Sequence, residues 1–237
     1  MSTHVGTDAS RSTIRVATYN LRDFLDDPAA AARVIRAIAP DVLCLQEVPR
    51  RLLGTWRVAN FAQVCRMYWS GHHQGSGGTT IFTSLRVQTP QSTHRRLAVR
   101  FLVRRRGYAV TSVVLPGHHP ITVASVHLSL AADERERHAT RILDALAGSG
   151  DVVVAGDLNE GEEGRAHRSI AGRYRVVSPG AATFPASRPE RVIDIVFASP
   201  DLVVRPGGPV DLDEADLRAA SDHRPVWVEV VARPMES

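Results

Sequence analysis

The chemistry-bearing side chains of this protein stand directly after, or inside, its most apolar runs. Asn20 follows Val16–Tyr19, Glu47 follows Leu43–Gln46, and His127 follows Val123–Val126. Asp157 and Asn159 come after Val152–Gly156, Asp194 is embedded in Val192–Phe197, and Asp222-His223 precede Pro225–Val230. An isolated carboxylate taken out of water is costly. A chain that sets several of them beside apolar strands gathers them around a cation or around one another. Hard oxygen donors suit Mg2+ or Mn2+, and the two cysteines, Cys44 and Cys65, make no zinc-type cluster. Such a cation polarises phosphoryl oxygen and neutralises developing charge. A histidine paired with a carboxylate exchanges protons near neutral pH, and Asn side chains orient phosphate or water without adding charge. Phosphoester hydrolysis is the reaction that fits these residue types. Taken singly, each has a duller reading: Asn20 caps a turn, Asp157 and Asn159 form one, His127 is a satisfied core residue, and Asp194 with His223 is a structural pair. Co-occurrence in order argues for the chemistry.

The elements that must position these residues follow from apolar periodicity. Buried strands are expected at Ile14–Thr18, Val42–Leu45, Thr79–Leu85, Ile121–Leu128, Asp151–Ala155, Val192–Ala198 and Pro225–Val231. Leu97–Val103 and Tyr108–Leu115, joined by Arg104–Gly107, read as a hairpin. Helices are expected from Pro28 through Ile38, over Ala131–Ala147 with Gly148 as its stop, and around 163–171. The pattern suggests two sheets packed on one another with helices outside.

Six segments then acquire a common meaning. ATYNLR (17–22), LCLQEV (43–48), SVHLS (125–129), VVAGDLNE (153–160), RVIDIVFAS (191–199) and SDHRPVWVEV (221–230) resemble the ordered motifs of the endonuclease/exonuclease/phosphatase superfamily, over residues 14 to 231. GDLN together with SDHRPV is the specific part. The resemblance implies an α/β fold, a four-layer α/β sandwich of two packed, mainly antiparallel β-sheets flanked by helices, as in DNase I-like proteins. It implies a divalent-metal-dependent phosphoester hydrolase with Mg2+ or Mn2+ as cofactor. Glu47 would be the metal-binding glutamate, with Asn20 and Asp222 organising metal and phosphate. His223 would be the catalytic histidine, supported by Asp194. Asp157 would position the attacking water or assist the leaving group, Asn159 would hold the phosphate, and His127 would occupy the histidine position of the DNase I and sphingomyelinase branches. Abasic-site endonucleases usually carry tyrosine there, which argues against that branch. Ile195 stands where many relatives carry Tyr or His, and the short stretch from Asn159 to Asp194, with TFPASRP at 183–189, leaves little room for substrate-gripping insertions. A compact bacterial member is expected.

Length and composition agree. A chain of 237 residues, 43% hydrophobic and 23% charged, suits one domain, expected over 13–232 with tails at 1–12 and 233–237. The net charge of +4 is compatible with a polyanionic partner without demanding one. Met1–Ser12 lacks a signal-peptide core and no segment has the apolar length of a membrane span, so a cytoplasmic protein without stable membrane association is expected. Cys44 reads as a buried free thiol. His72-His73 and His118-His119 read as loop residues, Arg95-Arg96 and Arg104–Arg106 as solvated flanks of the hairpin, and Arg135 with His138 as an exposed helix face. Gly75–Gly78 lacks the Lys-Ser/Thr of a nucleotide-binding loop. The substrate classes left open are nucleic acid, a nucleotide or a small phosphoester. The alternatives are a small-molecule phosphatase, a repurposed hydrolase of specialised metabolism, and a catalytically silent binding module. The oligomeric state is left open.

Overall fold

The computed structural model describes residues 12–51, 53–71, 73–89, 92–100 and 105–236. In chain order the strands are β1 Thr13–Asn20, β2 Val42–Gln46, β3 Tyr68–Trp69, β4 Thr80–Thr83, β5 Ser92–Leu97, β6 Arg106–Val113, β7 Ile121–His127, β8 Asp151–Asp157, β9 Arg175–Val176, β10 Asp194–Ala198, β11 Val204–Pro206 and β12 Val226–Val231. The α-helices are α1 Pro28–Ile38, α2 Gly54–Val64, α3 Ala132–Ala145, α4 Arg165–Ala171 and α5 Glu214–Ala220. The strands form two six-stranded sheets, β11-β12-β1-β2-β4-β3 and β5-β6-β7-β8-β10-β9. In the first, β1 and β2 run parallel, and in the second, β7 and β8 do; the other pairs are antiparallel.

Three apolar layers separate four structural ones. Ile14, Val16, Val42 and Cys44 of the first sheet meet Val123, Val153, Ala155 and Val196 of the second. The opposite parity of the same strands, Ala17, Tyr19, Leu43 and Leu45, packs on α1, α2 and α5. Ala124, Val126, Val152, Val154 and Phe197 pack on α3 and α4. Strands covered on both faces read as continuous apolar runs, which is why the central strands were recognisable. Cys44 and Cys65 are buried free thiols, and burial pushes each up to about 12. Helix α1 starts at Pro28 behind Asp27, whose side chain accepts from Ala29 N at 2.8 Å, and ends at left-handed Ala39.

The expected Leu97–Val103 strand is corrected. The partner of β6 is β5, in register from Ser92↔Thr111 to Leu97↔Arg106. Residues 98–100 lie outside any strand, and 101–104 lie outside the described residues. The β5 strand sits at a sheet edge with outward-alternating polar residues, Thr93, Arg95 and Arg96 among them, so no apolar run marked it. Helices α2 and α5 were missed. The α2 stripe Val58, Phe61, Ala62 and Cys65 has helical spacing and is buried; α5 has Asp213 as its N-cap. The 1–12 tail lies outside the described residues except Ser12. The 233–237 tail packs back as far as Met235, whose N–H reaches Gly117 O at 3.0 Å. Among the described residues no helix is long and apolar enough to cross a membrane.

Candidate active site

Strand parity builds the site. The inward row of β1 is Ile14, Val16, Thr18, Asn20; that of β2 is Val42, Cys44, Gln46. In the other sheet the rows are Val123, Ser125, His127 on β7 and Val153, Ala155, Asp157 on β8. Asp194 shares the parity of Val196 and Ala198 on β10. Each row is apolar in the middle of the sandwich and polar at one end. Because the parallel pairs end there and their antiparallel neighbours begin there, the polar ends meet. Just beneath them, Gln46 Nε2 donates to Ser125 Oγ at 3.2 Å, and Ser125 Oγ donates to Leu45 O at 3.3 Å, tying one sheet to the other.

Asp157 is the hub. Its Oδ2 accepts from Asn20 Nδ2 at 3.0 Å and its Oδ1 from Asn159 N at 2.8 Å. His127 Nε2 stands 3.4 Å and His223 Nε2 3.9 Å from Oδ2. Burial would raise its pKa, but His127, His223 and the Asn159 N–H override it and hold the carboxylate well below the usual range. His127 is 1% exposed, and burial, with Arg106 nearby, drives its pKa down against the pull of Asp157 and Glu47. It faces Asp157 as a neutral ring.

His223 is oriented from behind: Asp194 Oδ2 lies 2.8 Å from its Nδ1 and also accepts from Thr183 Oγ1 at 2.6 Å. Burial alone would lower the imidazole pKa, but Asp194, Asp157 and Asp222 outweigh it and push it up to about 9. The Phe184 ring lies 4.9 Å from the His223 ring, centroid to centroid.

Glu47, Asp157, Asn159, Asp222 and His223 line one cleft of about 440 Å³, together with Arg22, Arg50, Arg105, Arg191 and Phe184 among others. Asn20, His127 and Asp194 are one contact deeper, each against a lining residue. All eight sequence-derived residues therefore gather at one end of the sandwich, five at the cleft surface and three behind it. Glu47 carries the donor chemistry for a hard cation. Among the described residues its only ion-pair contact is His127 Nε2 at 3.7 Å, a neutral ring. Asp222 is raised by burial, with Glu47 and Asp26 repelling it while His223 and Arg22 oppose, and Asp23 is likewise raised by burial, with Glu47 adding. A divalent cation among these carboxylates would relieve that repulsion. A tighter trio, Asp157, Asp194 and His223, has ligand atoms within 4.8 Å of one another. Asp194 and His223 are already committed to each other there, so that trio suits proton handling better than ligation.

The turns at the site are held in unusual backbone. Arg22, Asp23, Phe24, Glu47 and Asn159 all have left-handed φ, between 45° and 60°. That conformation costs about 1–2 kcal/mol per non-glycine residue and persists where surroundings over-determine it. Gly156, preceding Asp157, has the opposite constraint: a Cβ there would lie 2.0 Å from Val126 O. Gly156→Ala is expected to force β8 off β7, lowering Tm by several degrees. An unchanged Tm in a thermal melt would show that the strands can part without cost.

Several expectations about neighbouring residues change. Arg106 is buried and donates from Nε to Leu128 O at 2.8 Å, so it is not a solvated flank, whereas Arg105 is exposed and lines the cleft. Arg104 and His72 lie outside the described residues. His73 is buried with Nε2 2.8 Å from Pro49 O. His138 is buried against Ala98 O at 2.7 Å and Arg135 pairs with Glu160 at 2.5 Å, so that helix face is not an exposed one. Thr183 was missed as a site residue; only its place ahead of Phe184-Pro185 marked the stretch.

The Endonuclease/Exonuclease/phosphatase family model matches residues 17–223. No curated protein matches the chain. Among solved structures, a functionally unknown conserved protein from Enterococcus faecalis V583 aligns with TM-score 0.75 at 18% identity, covering 93% of this chain and 100% of that one. An endonuclease/exonuclease/phosphatase from Beutenbergia cavernae DSM 12333 gives 0.71 at 23% identity, covering 94% and 72%. A mannosyl-6-phosphatase from Bacteroides thetaiotaomicron VPI-5482 gives 0.72 at 18%, covering 92% and 99%.

Proposed function

Since this chain belongs to the endonuclease/exonuclease/phosphatase family, we propose that it is a divalent-metal-dependent phosphoester hydrolase, acting in the cytoplasm as one domain over residues 13–232. The observation that carries this reading is the His223–Asp194 pair facing Asp157 across a cleft that also holds Glu47. Glu47 would be the principal ligand of Mg2+ or Mn2+, with Asp222 beside it. When bound, the cation polarises a phosphoryl oxygen and offsets developing charge.

The side chains then divide the remaining work. Asp157, ionised and held by Asn20 and Asn159, orients a water and accepts its proton as the water oxygen bonds to phosphorus; the P–O ester bond breaks and the departing oxygen takes a proton from solvent water. Protonated His223 presents Nε2 to a phosphoryl oxygen while Asp194 fixes the ring through Nδ1. Asn159 holds the phosphate at the cleft wall. Asn20 and His127, both 1% exposed, are positioning residues whose contacts with Asp157 keep that carboxylate in place. The silent-module alternative would require a missing site residue, and all eight are present. The test is hydrolysis with Mg2+ or Mn2+ against plasmid DNA, RNA, nucleotides, sugar phosphates and bis-p-nitrophenyl phosphate. No turnover of any of them would refute the reading.

A pH dependence follows from the raised His223. If its protonated form is the working one, turnover should fall with rising pH along a limb at or below about 9, since a bound cation draws that value down. The pH–rate profile of wild type should show this limb, and the residual activity of His223→Ala should lack it. A limb retained in His223→Ala belongs to another group.

A further inference from the structure

The cleft is lined by residues from both sheets at the end of the sandwich. At one end β10 packs on β12, and the residues ahead of those strands, Phe184, Arg191 and His223, line the cleft. At the other end β4 packs on β6, and the residues there are Arg50, Gly77, Arg105 and Arg106. Glu47, just past the end of β2, and Asp157, at the end of β8, lie between.

From this layout we propose that the substrate carries a second phosphate group next to the one hydrolysed, bound at the far end of the cleft by Arg50 and Arg105. The proposal rests on the reading of the near end as a phosphoester hydrolase site, and deepens it to a substrate class.

Three observations support it. First, of the five arginines that line the cleft, Arg22 pairs with Asp26 and Asp222, Arg106 donates to Leu128 O, and Arg191 lies over the Phe184 ring. Among the described residues, Arg50 and Arg105 form no ion pair. Second, Arg50 is half-buried. Burial pushes its pKa down, and the neighbouring charges of Arg105 and Arg51 push the same way against Asp23 and Glu47. A guanidinium half removed from water beside another cation is costly until an anion arrives. Third, the glycine loop is shaped to hold this pair. A Cβ on Gly78 would stand 3.2 Å from Arg50 Cδ and Nε, and one on Gly77 would stand 2.8 Å from the Arg106 backbone. The loop that resembled no nucleotide-binding motif is thus a packing surface for Arg50 and for the chain that carries Arg105. A planar guanidinium takes two oxygens of one phosphate at once. At the near end His223, with the cation that Glu47 would hold, would serve the reacting group, so these two arginines exceed what one phosphate needs.

The test is titration calorimetry of the full chain with orthophosphate and with pyrophosphate, in metal-free buffer. Wild type should bind pyrophosphate at least about tenfold more tightly, the scale of one charge-assisted hydrogen bond. In Arg50→Ala/Arg105→Ala that ratio should fall towards one. Arg105→Glu, at an exposed position, repeats the measurement without burdening the fold, and Arg96→Ala, in a separate groove, controls for net charge. A ratio near one in wild type, or a ratio unchanged in both site variants, overturns the proposal. So does an equal fall in Arg96→Ala. Two larger probes identify the source of the second phosphate: a 5′-phosphorylated dinucleotide and a hexose bisphosphate. At least one must lose affinity in Arg105→Glu; if neither does, the proposal fails. Because these are binding measurements, a protein that passes them yet hydrolyses nothing would sink the hydrolase reading and leave this one standing.

Discussion

Replacing His223 by alanine is expected to reduce turnover by about 10²-fold or more, the usual scale of acid–base effects. The expectation rests on position as much as on residue type. His223 Nε2 faces the cleft 3.9 Å from Asp157 Oδ2, and its other nitrogen is tied to Asp194 at 2.8 Å. Asp194→Asn keeps the shape but removes the charge that stabilises the imidazolium, so it should slow the same step. Thr183 donates to the same Asp194 oxygen, which fixes the carboxylate before it can fix the ring. Since the pair works as a unit, His223→Ala/Asp194→Asn should be far less damaged than the product of the single losses. Multiplicative losses, measured as kcat on one substrate, would show that the two act independently and would remove the pair from the mechanism.

Loss of the cation is expected to be as damaging. Activity should vanish with EDTA and return with Mg2+ or Mn2+. Glu47→Ala should resemble chelation, with turnover down on the order of 10²–10³-fold, because the cation supplies several kcal/mol of charge stabilisation. Glu47 is the suitable target because the only ion-pair contact it makes among the described residues is with a neutral histidine. Its removal therefore breaks no structural ion pair, and the Glu47→Ala protein should melt within a few degrees of wild type. Full activity after exhaustive chelation would refute metal dependence. A Glu47→Ala protein with wild-type metal response would move the ligand role to another carboxylate, the Asp157, Asp194 and His223 group first.

How much of this was legible in the sequence depended on burial. Central strands such as β1, β2 and β8 are apolar on both faces and declare themselves as runs. Their candidate site residues were visible because a polar residue at the end of such a run has no packing reason to be there. The edge strand β5 carries Arg95 and Arg96 and has no such signature, so its place was given to the stretch that follows it. Helix α2 had a readable stripe at Val58, Phe61, Ala62 and Cys65, obscured by its weak start at Gly54 after left-handed Leu53. What spacing alone could not reveal was depth. Asn20 and His127, each 1% exposed, lie behind Asp157. Nor could it show that Arg50 and Arg105, 55 positions apart in the chain, would line the same cleft.

The tie between Gln46 and Ser125 has a bearing on how the two sheets are held apart. Directly below the cleft, the spacing of the two sheets is set by hydrogen bonds, from Gln46 to Ser125 and from Ser125 to Leu45. Further down it is set by the volumes of Val16, Cys44, Val123 and Val153. A methylene gained or lost in that lower layer alters sheet separation locally, whereas the polar rung lies level with Asn20, the register partner of Gln46, and one residue pair below Asp157. The interior and the cleft end are therefore spaced by different means, side-chain volume below and hydrogen-bond length at the cleft floor.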